Sequence, residues 1–181
     1  MEFFCYNAYM KKPKNLSLII IYGPAGSGKT TRADLLHEEL SYTAHVGVDH
    51  IKRFISGFRE TPSHQEVSKK VINAMTAEYL KNNISVILEQ GMSSKEISVL
   101  KDIADTYKAH FFVYRLDASQ DILSGRVEER TTKLNKPAIP KETIDLLHKT
   151  HAENDYPNTK AFDSGKIDPK EFVSSVLGDL L

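Results

Sequence analysis

The chain has 181 residues, 40% of them hydrophobic and 27% charged, the size and composition of one globular domain that buries a core without disulfide staples. Lys plus Arg and Asp plus Glu both number 24; that balance excludes a protein whose main task is coating nucleic acid, and leaves nucleic acid only as a substrate in a local cleft. The lone cysteine, Cys5, has no partner in the chain and suits a reducing cytoplasm, and no stretch approaches the ~20 apolar residues of a membrane span.

Residues 1–15 precede the first regular element as a leader. From Met10 the run MKKPKNLSLIIIY mimics the basic and apolar regions of a signal peptide. The apolar part is short, however, and opens into a glycine-rich loop rather than a cleavage site, so Leu16–Tyr22 reads as a buried first strand. A helix follows from about Gly28 to Leu40, with Ala33, Leu36 and Leu40 at core spacing. Tyr42–Asp49 reads as strand two and His50–Phe58 as a short helix closed by Gly57.

Thr61-Pro62-Ser63 starts a long helix, with Val67, Val71, Ala74, Met75 and Tyr79 expected on its inward face. Ile84–Gln90 is almost continuously apolar, the pattern of a strand covered on both sides. Helix 93–107, strand 109–117 and helix 119–131 come next, then the Lys/Pro-rich stretch TTKLNKPAIP. A helix over 141–154, a short strand at Thr159–Ser164 and a closing helix 169–180 complete the chain, with Phe172, Val173, Val176 and Leu180 inward. Strands alternating with helices predict an α/β fold, a parallel sheet between helical layers.

Gly23-Pro24-Ala25-Gly26-Ser27-Gly28-Lys29-Thr30 fits the pattern G-x-x-x-x-G-K-[ST] in full, and Thr31 continues it into the helix. Glycines let successive backbone N–H groups turn towards phosphate oxygens, and the helix adds the positive end of its dipole. Lys29 is placed to reach β- and γ-phosphates, and the Thr30 hydroxyl to ligate Mg²⁺. The strand before and the helix after supply the context this motif needs. It identifies a nucleotide-phosphate site, not a reaction.

Open parallel sheets place ligands at the carboxyl ends of their strands. Asp49, at the expected end of strand two, can take the proton of an attacking hydroxyl or orient it; equally, Asp is a favoured helix cap. Arg53, four residues on, can clamp an anionic substrate group. Glu89 ends strand three and suits either Mg²⁺ through water or the substrate. Arg126 and Arg130, four apart with Lys133 and Lys136 beyond, can stabilise a transferring phosphoryl group from a lid over about 126–140, or can belong to a solvated face with Glu128 and Glu129. His45, His50, His64, His110, His148 and His151 show no metal-ligand spacing, so surface or core roles are expected of them. Asp163–Lys166 is placed to border a nucleotide base.

Together GPAGSGKT, the Asp of D-H-I-K-R, the strand ILEQG and L-x-x-R-x-x-x-R resemble the small P-loop kinases, in the branch of polynucleotide kinases, zeta-type toxins and chloramphenicol phosphotransferases. The resemblance runs from about Leu16 to the C-terminus. It implies one domain over 16–181 with a five-stranded sheet in the order 2-3-1-4-5 and a helical lid, and ATP-dependent transfer of the γ-phosphate to a hydroxyl. It also implies Asp49 as base or substrate orienter, with Arg126 and Arg130 near the phosphates. Such sequences often carry D-x-x-R, whereas here Lys52 holds that spacing and Arg53 follows it. The acceptor is a small molecule or a nucleic-acid 5′ end. The alternative is a nucleotide-binding switch or regulatory NTPase with no acceptor but water.

Overall fold

The computed structural model describes residues 11–57, 61–133 and 156–181. Its strands are β1 (Ser17–Tyr22), β2 (Thr43–Gly47), β3 (Ser85–Gln90), β4 (His110–Asp117) and β5 (Lys160–Asp163). Between and after them lie helices α1 (Lys29–Glu39), α2 (Val48–Arg53), α3 (Pro62–Lys81), α4 (Ser94–Thr106), α5 (Gln120–Lys133) and α6 (Pro169–Leu180). The sheet runs β2-β3-β1-β4-β5 with every neighbouring pair parallel, the order that the kinase resemblance implies. The helix expected at 141–154, the stretch beyond Lys133 with Lys136, and residues 1–10 lie outside the described residues.

Alternation along β1 divides the core into two layers. Leu18, Ile20 and Tyr22 pack with Ile72, Leu80, Ile97 and Leu100 under α3 and α4. Ile19 and Ile21 pack on the opposite face with Ala33, Leu36, Phe172 and Val176 under α1 and α6. All six residues of β1 and of β3 are buried, as central strands covered on both faces require.

Helix starts obey local chemistry. Thr61 accepts from the His64 N–H at 3.4 Å, and Ser93 with Glu96 and Asp168 with Glu171 form reciprocal capping boxes. Strands two to four begin one residue later than the apolar pattern suggests. Tyr42, Asn83 and Lys108 adopt positive φ of 53°, 59° and 56° and close the preceding turns, so pairing starts only after them. The described end of the leader lies along this body: Lys11 bridges to Leu40, and the Lys14 N–H donates to the Leu180 carbonyl at 3.2 Å.

Two expectations are corrected. β2 ends at Gly47, so Asp49 stands not at a strand end but in the first turn of α2, which Gly47 caps. The inward face of α3 is turned by about one residue in its first turns: Ser68, Ile72, Thr76 and Leu80 are buried and Met75 and Tyr79 pack against the core as expected, while Val67 and Val71 are 47% and 37% exposed. The hydroxyl of Ser68 donates to the His64 carbonyl one turn back at 3.0 Å, so a small polar residue sits in the buried stripe with its hydrogen bond met. Pattern counting weights Val over Ser and so sets the start of the stripe about one residue off.

Candidate functional site

The carboxyl ends of β1, β2 and β3 meet the start of α1, and the phosphate-loop residues are gathered there. Gly26 has φ 81°, and a Cβ on it would stand 2.6 Å from the Leu123 carbonyl oxygen of α5, so no other residue fits this bend. Gly28, also left-handed, caps α1. Ser27 is fully buried with its N–H donating to the Pro24 carbonyl at 3.3 Å, and the Lys29 Nζ donates to that same carbonyl at 2.9 Å. The loop thus folds back on itself around Pro24 and Ala25, with the lysine at its centre. Thr31 is exposed on the first turn of the helix.

Thr30 and Glu89 come together as the motif requires: the Thr30 hydroxyl donates to Glu89 Oε1 at 3.2 Å. Gly47, paired with Glu89 across the sheet, makes room for that carboxyl, since a Cβ there would lie 2.9 Å from Oε1. Burial pushes the Glu89 carboxyl up to about 7, against the pull of the Lys29 ammonium and the Thr30 hydrogen bond. Burial likewise pushes Lys29 down, while Glu89 and Asp49 draw it up and the Arg130 charge lowers it further. Lys29, Thr30, Asp49, Glu89 and Arg130 therefore share one electrostatic neighbourhood.

Asp49 presents a side chain that is 64% exposed, with Lys52 Nζ 4.0 Å away on the next turn. Its helix is capped by Gly47 without a side-chain cap, so capping does not account for Asp49. Arg53 is not drawn to the phosphate loop. It lines a pocket against β2 with His45, His50 and Phe54. Arg126 is held still: Nη1 donates to the Gly26 carbonyl at 3.4 Å and to Ser164 Oγ at 3.2 Å, and Nη2 to the Ser164 carbonyl at 3.0 Å. One planar fork thus ties α5 to the phosphate loop and to the loop after β5. Arg130 is exposed one turn further along α5, and Lys133 pairs with Glu129 at 2.7 Å.

Sequence reasoning did not single out Arg32. It is 3% exposed, its Nη1 lies under Gly28, and its Nη2 donates to the Ile167 carbonyl at 2.8 Å. With Arg126 it fastens the 164–167 turn against the phosphate loop. The available signal was spacing: Arg32 stands beside Ala33 and four residues before Leu36, on the inward stripe, where an unpaired arginine is not tolerated.

A family model described as an AAA domain, AAA_33, matches residues 18–153. No curated protein sequence matches the chain. Among solved structures, a provisionally assigned kinase from Chloroflexus aurantiacus is 19% identical with TM-score 0.74, covering 93% of this chain and 100% of its own. A sugar kinase from Janibacter sp., in unliganded form, is 17% identical with TM-score 0.68, covering 91% of this chain and 95% of that one. A chain of the Pnkp1/Rnl/Hen1 RNA repair complex is 24% identical with TM-score 0.65 over 77% of this chain, which spans 45% of that one. At these identities the likeness is one of fold: the parallel five-stranded sheet with a phosphate loop after its central strand.

Proposed function

We propose that this chain, which belongs to the AAA_33 family of AAA domains, transfers the γ-phosphoryl group of ATP to a hydroxyl of a small molecule or a nucleic-acid 5′ end. The observation that supports this reading is the buried Glu89 carboxyl taking the Thr30 hydroxyl at 3.2 Å next to Lys29 in the phosphate loop, with the charges of Glu89 and Asp49 both acting on the Lys29 ammonium. A phosphate loop alone serves a switch as well as a kinase. Asp49, an exposed carboxylate that caps no helix and whose charge acts on the phosphate-loop lysine, is what an acceptor hydroxyl needs.

In this scheme the N–H groups of residues 25–30 hold the phosphates, and Lys29 leaves the Pro24 carbonyl for the β- and γ-oxygens. The acceptor oxygen forms a bond to the γ-phosphorus as the bond to the leaving ADP oxygen breaks. The acceptor proton passes to the Asp49 carboxylate. In the same scheme Arg130, whose charge acts on Lys29, meets the charge on the transferring group, whereas Arg126 acts by positioning, through Gly26 and Ser164. The Thr30 hydroxyl and Glu89 carboxyl, 3.2 Å apart, form a hard oxygen pair that fits Mg²⁺, an ion that keeps several of its waters. Mg²⁺ bound there would supply charge neutralisation between the β- and γ-phosphates. Among the described residues no helix is long and apolar enough to cross a membrane.

Transfer of labelled γ-phosphate across 5′-hydroxyl oligonucleotides, nucleosides, nucleotide sugars and hydroxyl-bearing antibiotics tests the reading. Asp49→Asn is expected to keep ATP affinity and to lower transfer by about 10²–10⁴-fold. Undiminished transfer in that variant refutes the role given to Asp49, and hydrolysis raised by none of the acceptors refutes the phosphotransferase.

A further inference from the structure

The turn after β5 is fastened to the phosphate loop from two sides. Arg126 reaches it from α5 through Ser164, and Arg32 reaches it from α1 through the Ile167 carbonyl, which takes Nη2 at 2.8 Å. The two forks meet the loop at alternate glycines. Arg126 Nη1 donates to the Gly26 carbonyl, and Arg32 Nη1 lies 2.6 Å from where a Gly28 Cβ would stand. The turn holds its own shape between them: Asp163 Oδ1 takes the Gly165 N–H at 2.9 Å, and the Asp163 carbonyl takes the N–H groups of Lys166 and Ile167. A Cβ on Gly165 would stand 2.7 Å from Ile122 Cδ1, so bare backbone lies against an apolar side chain that is itself 37% exposed. Backbone polar groups beside an apolar surface suit the flat ring of a base.

Stability alone does not explain Arg32. Its Nε is buried with no partner among the described residues, and its guanidinium lies 5.8 Å from the centroid of the Phe172 ring. Burial disfavours its charge, and so does the neighbouring Arg126, against the pull of Asp168. An apolar side chain would fill the space between α1 and α6 with no unmet donor and no like charge beside it. Such a side chain could not, however, hold the Ile167 carbonyl while lying against Gly28.

We propose that Arg32 is a positioning residue for the nucleoside part of the nucleotide: through Gly28 and Ile167 it sets the spacing between the phosphate loop and the 164–167 turn, so that phosphates in the loop and a base on the turn are bound together. This role rests on the nucleotide reading of the loop and is independent of the acceptor.

The test is calorimetric titration of the full chain with two probes in Mg²⁺: a non-hydrolysable ATP analogue, and inorganic tripolyphosphate, which has neither base nor ribose. The wild type is expected to bind the ATP analogue more tightly. Arg32→Met keeps an unbranched stem against Phe172 and removes the donor. It should weaken the ATP analogue about tenfold, the scale of one charge-assisted hydrogen bond, and leave tripolyphosphate within about twofold. Arg32→Lys keeps the charge, but an ammonium cannot serve Gly28 and Ile167 together, so part of the preference should still be lost. Being the milder change, it decides the question even where Arg32→Met does not fold. A merely structural arginine would lower Tm in these variants without moving the ratio of the two affinities, and an unchanged ratio in either folded variant overturns the proposal. Equal weakening of both probes also overturns it, since Arg32 would then serve the phosphate loop alone. A wild type that binds both probes alike overturns it while leaving the phosphate loop standing; a wild type that binds neither removes the nucleotide reading as well.

Discussion

Glu89→Gln probes the buried carboxyl at the heart of the site without disturbing its shape. Glu89 is 6% exposed, and burial raises it from its ordinary 4.5 to about 7. In the unfolded chain the carboxyl returns to its ordinary value. Between pH 4.5 and about 7 the folded state therefore holds a proton that the unfolded state has released. Stability must fall as pH rises through that window, and the whole cost is present above it. At 1.36 kcal/mol per unit, the gap amounts to about 3 kcal/mol. Glutamine fills the same space, never ionises, and still offers an oxygen to the Thr30 hydroxyl. The variant should exceed the wild type by no more than about 1 kcal/mol near pH 5 and by about 3 kcal/mol at pH 8, roughly 6–12 °C in Tm for a chain of this length. Urea unfolding followed by circular dichroism at pH 5, 6, 7 and 8 measures it. A difference that stays constant across these pH values refutes the claim that Glu89 ionises at a cost in the folded protein. The same variant should lose Mg²⁺-dependent turnover, setting activity against stability at one residue.

Arg126→Ala removes the fork between Gly26 and Ser164, so KM for ATP should rise more than kcat falls, with a stability loss of about 1–3 kcal/mol from the unmet carbonyls. Arg126→Lys should not restore it, because an ammonium cannot span both loops; a fall in kcat at unchanged KM would instead place Arg126 at the transferring phosphate. The turn of α3 is checked by denaturation: Ile72→Ala should cost about 2–5 kcal/mol, whereas Val67→Ala should stay within about 0.5 kcal/mol. Equal losses at the two positions would restore the face that pattern counting favours.

Much of the fold was legible because its signals are local. A short, almost continuously apolar run that leads into a glycine turn reads as a strand covered on both faces, and Leu18–Tyr22 and Val86–Leu88 are buried as that pattern demands. Caps at Thr61, Ser93 and Asp168 act within one helical turn, so their chemistry is readable along the chain. The phosphate loop is legible for the same reason: its glycines, lysine and threonine are consecutive.

The roles of the arginines were not legible. Arg53 and Arg126 looked alike as cations at helical spacing from other charged groups. One faces a pocket beside an edge strand, and the other is bound by two carbonyls and a hydroxyl contributed from positions far away in the chain. The rotation of α3 was hidden too, since it depends on how closely that helix approaches the sheet rather than on which of its residues are most apolar. The elements, the phosphate loop and the alternation that covers a sheet on both faces are set by interactions within a few residues, and so can be read along the chain. Closure of the fold is what brings Glu89 to Thr30, makes Arg126 a tie and leaves His45 Nε2 without a partner among the described residues. Those are contacts between segments that the chain brings together only when the core closes, and spacing along the sequence carries no record of them.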